Sequence, residues 1–404
     1  MPKKILLFSI VYLPNFVGGA EIAIKEITDR IDPGKLSFDM LTLRADKKDP
    51  SFERVGNINV YRIGPAFRKG SVLYRFNLWL FKYLFPFMAS ARADKMHKEN
   101  NYIAIWSLMA NYAGFAGSFF KKKNPEVPFI LTLQEGDPLS YIKRRVGIFA
   151  PLFRKIFKRA DIVQAISRYL GIWANDMGFS GIPEIIPNAV DLENFGKVYS
   201  GDELSYLEEK FEKTPEDIFI ITTSRLVKKN AVDVVIEAMP LLSKNIKFLV
   251  IGNGEDETKL LKLATKLNVL DRVKFIGYVP HTEMAKYLRV SDIFVRPSRS
   301  EGLGNSFLEA FAAGLPVVAT RVGGIPDFLQ NGVNGFYAKV DDPKDLALKI
   351  KMLFGSEKLR HEMGEDGRKM VFEKYNWERI TDLMIEKIFS PAFKLYSGVK
   401  DKPR

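Results

Sequence analysis

Short runs of apolar, β-branched and aromatic residues alternate with longer amphipathic stretches along almost the whole chain. That alternation restricts the fold more than any other feature. In the first half the runs fall at residues 5–10, 38–43, 58–63, 102–106, 129–133, 161–165 and 184–186. After Pro187 the pattern starts again, at 218–222, 247–251, 273–276, 293–295, 316–319 and 335–338. Each run is too short for a buried helix, and most are continuously apolar, which marks strands buried on both faces. Strands of that kind, separated by helices, build parallel sheets in doubly wound α/β domains. The chain's 404 residues suit two such domains of about 200 residues each. Pro187-Asn188-Ala189-Val190-Asp191 is the expected hinge. The expected division is 1–190 and 191–375, with the last segment, 376–404, packing back on the first domain.

Composition removes several classes of chemistry. There is no cysteine, so disulfides, thiolate metal sites and cysteine nucleophiles are excluded, and the chain suits a reducing compartment. The three histidines, His97, His281 and His361, are scattered, which disfavours a histidine-built metal site. No stretch reaches the roughly 18 apolar residues of a transmembrane helix. The apolar start runs into Pro14 and Gly18-Gly19 without a small-residue cleavage site, so it reads as a buried first strand. The net charge of +13 is concentrated: residues 51–160 hold 19 Lys and Arg against 6 Asp and Glu. Such asymmetry points to a polyanionic partner.

In open α/β sheets ligands sit at the carboxyl ends of the strands, so the loops after strands carry the candidate chemistry. Residues 218–222 lead into Ser224-Arg225-Leu226-Val227-Lys228-Lys229-Asn230, where Arg225 and a lysine supply fixed positive charge for a diphosphate. Taken alone, this loop reads equally well as a solvated basic turn. Ile251-Gly252-Asn253-Gly254 is a partial glycine fingerprint, and no Gly-x-x-x-x-Gly-Lys loop occurs. The strongest signal is Pro297-Ser298-Arg299-Ser300-Glu301-Gly302-Leu303-Gly304-Asn305-Ser306-Phe307-Leu308-Glu309-Ala310. Here a strand opens into a glycine turn and a helix starts near Asn305. Free backbone N–H groups at that start suit phosphate or sugar oxygens. Glu301 and Glu309 are placed to accept hydrogen bonds from vicinal hydroxyls. The alternative makes Glu301 a surface residue and Glu309 a helix-dipole partner; Gly314-Leu315-Pro316-Val317-Val318-Ala319-Thr320 and Gly323-Gly324 downstream weigh against it.

This block resembles the glutamate–seven–glutamate signature of the family-four retaining glycosyltransferases, the glycosyl transferases of group 1. The resemblance extends from Gly18-Gly19-Ala20-Glu21 to Tyr375-Asn376-Trp377. It implies a GT-B fold: two Rossmann-like doubly wound domains facing across a cleft, with a C-terminal helix crossing back to the first. It further implies a nucleotide diphosphate sugar as donor, with Glu301 on the sugar hydroxyls and Glu309 on the ribose. Arg225 and Lys229, or its neighbour Lys228, would hold the diphosphate. The backbone of Gly304, Asn305, Ser306 and Phe307 would lie under the distal phosphate and sugar. Gly252 and Gly254 would line the donor site, Gly277 and Tyr278 would lie near the base, and Gly18 and Gly19 would close over the phosphates.

Breaking the anomeric bond puts negative charge on the leaving diphosphate. The sequence contains no Asp-x-Asp pair, so Arg225, Lys229 and the helix start are expected to carry that charge without a metal or cofactor. Two departures from the family pattern stand out. Asn230 occupies the usual lysine position, and Ala231 follows it in place of glycine. Gln134 stands where members often have a histidine; it can hydrogen-bond a sugar hydroxyl but cannot act as a general base, leaving Glu135 or Asp137 as substitutes.

Residues 67–87 and 141–159 mix aromatic and aliphatic side chains with Lys and Arg, and Lys121-Lys122-Lys123 adds a third basic cluster. Such composition suits an interfacial helix on anionic lipid, or a domain core with solvated cations. The charge concentration favours peripheral contact with the inner face of the cell membrane from the cytoplasm, and a lipid-linked or envelope-glycan acceptor. No nucleic-acid module is recognisable. A nucleotide-sugar epimerase or hydrolase, and a non-catalytic sugar- or lipid-binding module, are the alternatives.

Overall fold

A computed structural model describes residues 2–14, 18–65 and 74–400. The chain divides into two compact units. The first comprises Met1–Glu135, Leu139–Asn188 and Trp377–Arg404, and the second Gly136–Pro138 and Ala189–Asn376.

The first unit is built on β1 (Lys3–Phe8), β2 (Leu36–Leu43), β3 (Phe52–Val55), β4 (Ile58–Ile63), β5 (Ala104–Leu108), β6 (Phe129–Leu133), β7 (Ile162–Ala165) and β8 (Glu184–Ile185). They form one sheet in the order β3-β4-β2-β1-β5-β6-β7-β8. All neighbours pair in parallel except β3, which runs antiparallel to β4. The runs that announced these strands are buried: Ile5, Leu6 and Phe8 are fully inaccessible, as are Phe38, Met40, Phe129 and Ile130. No apolar run announces β3. Its sequence, Phe-Glu-Arg-Val, lies at the sheet edge and half faces solvent, so period-2 burial is all that marks it.

The last helical segment belongs to this unit. Within it the helix Trp377–Met384 continues through a π turn, Ile385–Phe389, into the helix Ser390–Lys400. Phe389 packs against Phe38 and Trp106, with ring centroids 6.0 and 5.3 Å away. Glu378 meets Arg30 at 3.1 Å.

The second unit contains β9 (Ile218–Thr223), β10 (Ile246–Ile251), β11 (Val273–Gly277), β12 (Ile293–Arg296), β13 (Val317–Thr320) and β14 (Gly335–Ala338). Its sheet is parallel throughout, in the order β11-β10-β9-β12-β13-β14. Counted from β9 this is the 3-2-1-4-5-6 order of a dinucleotide-binding fold, and the strand order reverses between β9 and β12. Both neighbours of that switch point are buried on both faces, with Ile220, Ile221, Phe294 and Val295 fully inaccessible. The loops that follow β9 and β12 therefore leave the sheet side by side at its carboxyl edge.

Candidate functional site

After β9 the chain presents Thr222, Thr223 and Ser224, whose hydroxyl oxygens are buried without a hydrogen-bond partner among the described residues. Arg225 follows, exposed, and its guanidinium has no ion-pair or hydrogen-bond partner among the described residues. Its backbone is held firmly. Ser224 N donates to Ile251 O and Leu226 N to Asn253 O, both at 3.0 Å. A Cβ on Gly252 would stand 2.0 Å from Ser224 O, and one on Gly254 2.2 Å from Leu226 O. These two glycines thus let the β10 loop lie directly on the backbone that carries Arg225. Gly252 N in turn donates to Gly277 O at 2.8 Å, which joins the loop after β11 to the same edge.

Asn230, at the family's lysine position, is buried and donates its amide to Arg225 O at 2.7 Å. It closes the turn that presents Arg225. Ala231 behind it has φ +56°, the left-handed region that favours glycine and costs other residues roughly 1–2 kcal/mol. The Lys229 ammonium is engaged, donating to Gly136 O at 2.9 Å and meeting Asp137 at 3.2 Å. Lys228 is exposed and pairs with no carboxylate among the described residues. Arg299 is structural: it bonds Asp233 and Asp341 and donates to Lys228 O at 2.6 Å, fixing the basic turn.

The turn after β12 is organised by a residue with no conspicuous sequence signal, Arg296. It is 6% exposed and pairs with the Glu301 carboxylate. The same guanidinium donates to Ser306 Oγ at 2.5 Å and Ser298 Oγ at 3.2 Å, and lies 4.2 Å over the Phe307 ring. The second Glu301 oxygen accepts from Gly302 N at 3.2 Å. Gly304 has φ +95°, and a Cβ there would meet Phe307 at 2.5 Å and Arg296 at 3.0 Å. The structure thus brings Glu301, Gly304, Ser306 and Phe307 together around one cation. A Cβ on Gly136 would lie 3.1 Å from Lys229 Nζ and 3.8 Å from Glu301 Oε1, so the lysine and this carboxylate flank the same glycine.

Two details define Phe307 at this helix start. Phe307 N donates to Gly304 O at 3.0 Å, so its amide is not free for a ligand. Its ring is fully buried between Phe294 and Phe328. The Phe307 ring is a core anchor of the helix Asn305–Ala312. Asn305 and Ser306 remain as the first residues of that helix, behind a Gly304 that supplies no side-chain cap.

Glu309, one turn further on, lies 3.1 Å from His281 Nε2. His281 begins the helix His281–Arg289 and packs edge-on against Phe195, centroids 4.8 Å apart. Tyr278 is 72% exposed in the preceding loop. A cavity of about 470 Å³ lined by Ile276, Tyr278, Pro280, Tyr206 and Tyr287 lies behind it. A lone histidine in a scattered set gave no reason to connect His281 with Glu309.

In the first unit Gly18 and Gly19 open the helix Gly19–Asp29, with Ile22 N donating to Gly18 O. Glu21 in its first turn is 4% exposed, and burial pushes its carboxyl up from the ordinary value. Gln134 accepts from Asn188 Nδ2 at 3.1 Å, and Glu135 accepts from Ala110 N at 2.6 Å.

The two basic aromatic stretches divide. Residues 67–73 lie outside the described residues. In the helix Tyr74–Asn100, Phe76, Trp79, Tyr83 and Phe87 are exposed; Phe76 stacks on Trp79 at 6.0 Å, and Tyr83 meets Trp79 at a tilt at 4.9 Å. Tyr141, Ile148 and Phe149 are exposed too. The helix Ala150–Arg159 instead turns Phe153, Ile156 and Phe157 into the core, so the expected apolar surface ends at Phe149. No helix among the described residues is long and apolar enough to cross a membrane.

Residues 207–370, most of the second unit, match the family of glycosyl transferases group 1. The second unit therefore resembles a group 1 glycosyltransferase domain. The whole chain is similar to known glycosyltransferases. One, an uncharacterized glycosyltransferase of Methanocaldococcus jannaschii, is 26% identical over 93% of this chain and 95% of its own. The GDP-mannose-dependent alpha-(1-6)-phosphatidylinositol monomannoside mannosyltransferase of Mycolicibacterium smegmatis is 28% identical over 55% of this chain and 61% of its own. The crystal structure of Anabaena HepE in complex with UDP-glucose aligns with a TM-score of 0.75 at 18% identity, covering 96% of this chain and 99% of that one. Two doubly wound sheets with flanking helices, matched across the chain, are the GT-B fold.

Proposed function

We propose that the protein is a retaining, metal-independent glycosyltransferase that moves a sugar from a nucleotide diphosphate to a lipid-linked or envelope-glycan acceptor at the inner, cytoplasmic face of the membrane. One observation carries this reading. An exposed Arg225 with no partner among the described residues follows β9, while β12, its neighbour in the sheet, delivers Glu301 and Glu309, each held by its own cation or imidazole. Arg225 supplies charge for the diphosphate, Glu301 accepts from the donor sugar hydroxyls, and Glu309 accepts from the ribose. The lipid acceptor is supported by the exposed Phe76, Trp79, Tyr83 and Phe87 in the charge-rich part of the chain. Similarity to a phosphatidylinositol-glycan mannosyltransferase supports it further.

In the chemistry we propose, the anomeric C–O bond breaks and its electron pair passes to the diphosphate. The acceptor hydroxyl oxygen attacks the anomeric carbon from the same face, and its proton goes to the departing phosphate oxygen. Arg225 and the start of the helix Asn305–Ala312 stabilise the developing charge. Lys229 would join them by exchanging Asp137 for phosphate. Gln134 orients a sugar hydroxyl and moves no proton.

The test is diphosphate release from UDP-, GDP- and ADP-sugars, with and without anionic vesicles, in EDTA. Lipid-dependent release that is lost in Arg225→Ala and Glu301→Ala supports the proposal. EDTA-sensitive release overturns metal independence, and release without transfer to any lipid favours a hydrolase or epimerase.

A further inference from the structure

We infer that Arg296 is the positioning residue of the donor-sugar site, acting through Glu301; the inference rests on Glu301 being the sugar contact proposed above. A buried arginine is costly unless its charge is neutralised and its N–H groups are matched. Here the charge is neutralised by one partner, Glu301, itself only 12% exposed in its side chain. The remaining donors go to Ser298, Ser306 and, at 3.4 Å, Thr223 O. These partners come from every part of the switch point: the end of β9, the turn after β12 and the first turn of the following helix. The Phe307 ring supports the guanidinium from one side, and the missing Cβ of Gly304 leaves it room.

The consequence is geometric. One oxygen of Glu301 is committed to Arg296 and the other is oriented by Gly302 N, so the carboxylate cannot rotate freely. An ionised carboxylate fixed in this way keeps lone pairs aimed in one direction, as a site selecting vicinal hydroxyls requires. A lysine at 296 would keep the charge, but a point charge cannot hold Glu301, Ser306 and the β9 carbonyl together. Arg296 need not touch the donor at all; its effect passes through Glu301.

The test uses the full chain with Arg296→Lys, Glu301→Gln and the double variant. Binding of UDP and GDP is followed by calorimetry, turnover with UDP-glucose and GDP-mannose, and folding by urea midpoints. A positioning role predicts that Arg296→Lys lowers kcat by about 30-fold or more while diphosphate affinity stays within roughly threefold. Adding Glu301→Gln to it then costs less than about threefold more, because the two residues act as one unit. Wild-type-like turnover in Arg296→Lys, losses that multiply in the double variant, or lost nucleotide binding would each overturn the inference. If Glu301→Gln alone turns over normally, the donor-sugar role of Glu301 is what fails. The Arg296–Glu301 linkage is then judged on the urea midpoints: non-additive midpoints sustain it and additive ones refute it.

Discussion

His281 Nε2 lies 3.1 Å from Glu309 Oε1, so an imidazole orients the carboxylate proposed to meet the ribose. The imidazole is itself fixed, edge-on to Phe195. A contact made equally in ground and transition states alters KM and leaves kcat alone. His281→Ala is therefore expected to raise the donor KM and the Kd of the free nucleotide diphosphate by roughly 3- to 10-fold, with kcat unchanged. Glu309→Ala is expected to raise them further. Steady-state kinetics together with calorimetry check this, and a fall in kcat with unaltered KM would refute it.

Two glycines of the second unit separate strain from contact. Gly323 has φ +55°, and a Cβ there would stand 1.7 Å from Glu301 O. Gly332 has φ +81° with nothing within 4 Å of its Cβ position. Alanine at Gly332 is expected to cost only the left-handed backbone term, about 1 kcal/mol, and to leave turnover intact. Alanine at Gly323 adds a clash with the backbone of Glu301, so it is expected to cost at least about 3 kcal/mol and to abolish turnover. Urea denaturation of both variants measures the difference, and equal midpoints would contradict it.

Glu21 makes stability depend on pH in a defined direction. Burial holds its carboxyl above the ordinary value of 4.5, so the folded chain keeps a proton that the unfolded chain releases. Stability from this residue is full below the unfolded value and is lost as pH rises through the folded one. Glu21→Gln is thus expected to match the wild type below pH 4.5 and to be the more stable protein at neutrality. Urea midpoints across that range decide the matter; a constant difference would show that Glu21 does not titrate there.

The exposed Phe76, Trp79, Tyr83 and Phe87 are the surface proposed to meet lipid. Cosedimentation with phosphatidylglycerol vesicles is expected to fall by about tenfold in Phe76→Ser/Trp79→Ser and to weaken with salt. Phe153→Ser would instead unfold the first unit, since that ring is 3% exposed. Unchanged sedimentation in the double variant would remove the membrane from the proposal.

Much of the architecture was legible in the linear chain, because strands buried on both faces must be continuously apolar, and thirteen such runs in two cycles leave few alternatives. β3 escaped because an edge strand facing solvent needs no such run. The Glu301–Glu309 block was legible for a related reason: a strand, a glycine turn and a helix start are contiguous in sequence, so their chemistry is too. Tertiary structure decided what depends on non-local partners. Arg296 looks like the polar end of a strand until Thr223, Glu301 and Ser306 converge on it. His281 stands 28 residues from Glu309, and only the fold places the Phe307 ring in the core beside Arg296. Periodicity records which face of an element is buried; it does not record which groups the fold brings to that face. Hydrogen bonds and ion pairs act over a few ångströms of space whatever their separation along the chain, and only folding sets that distance.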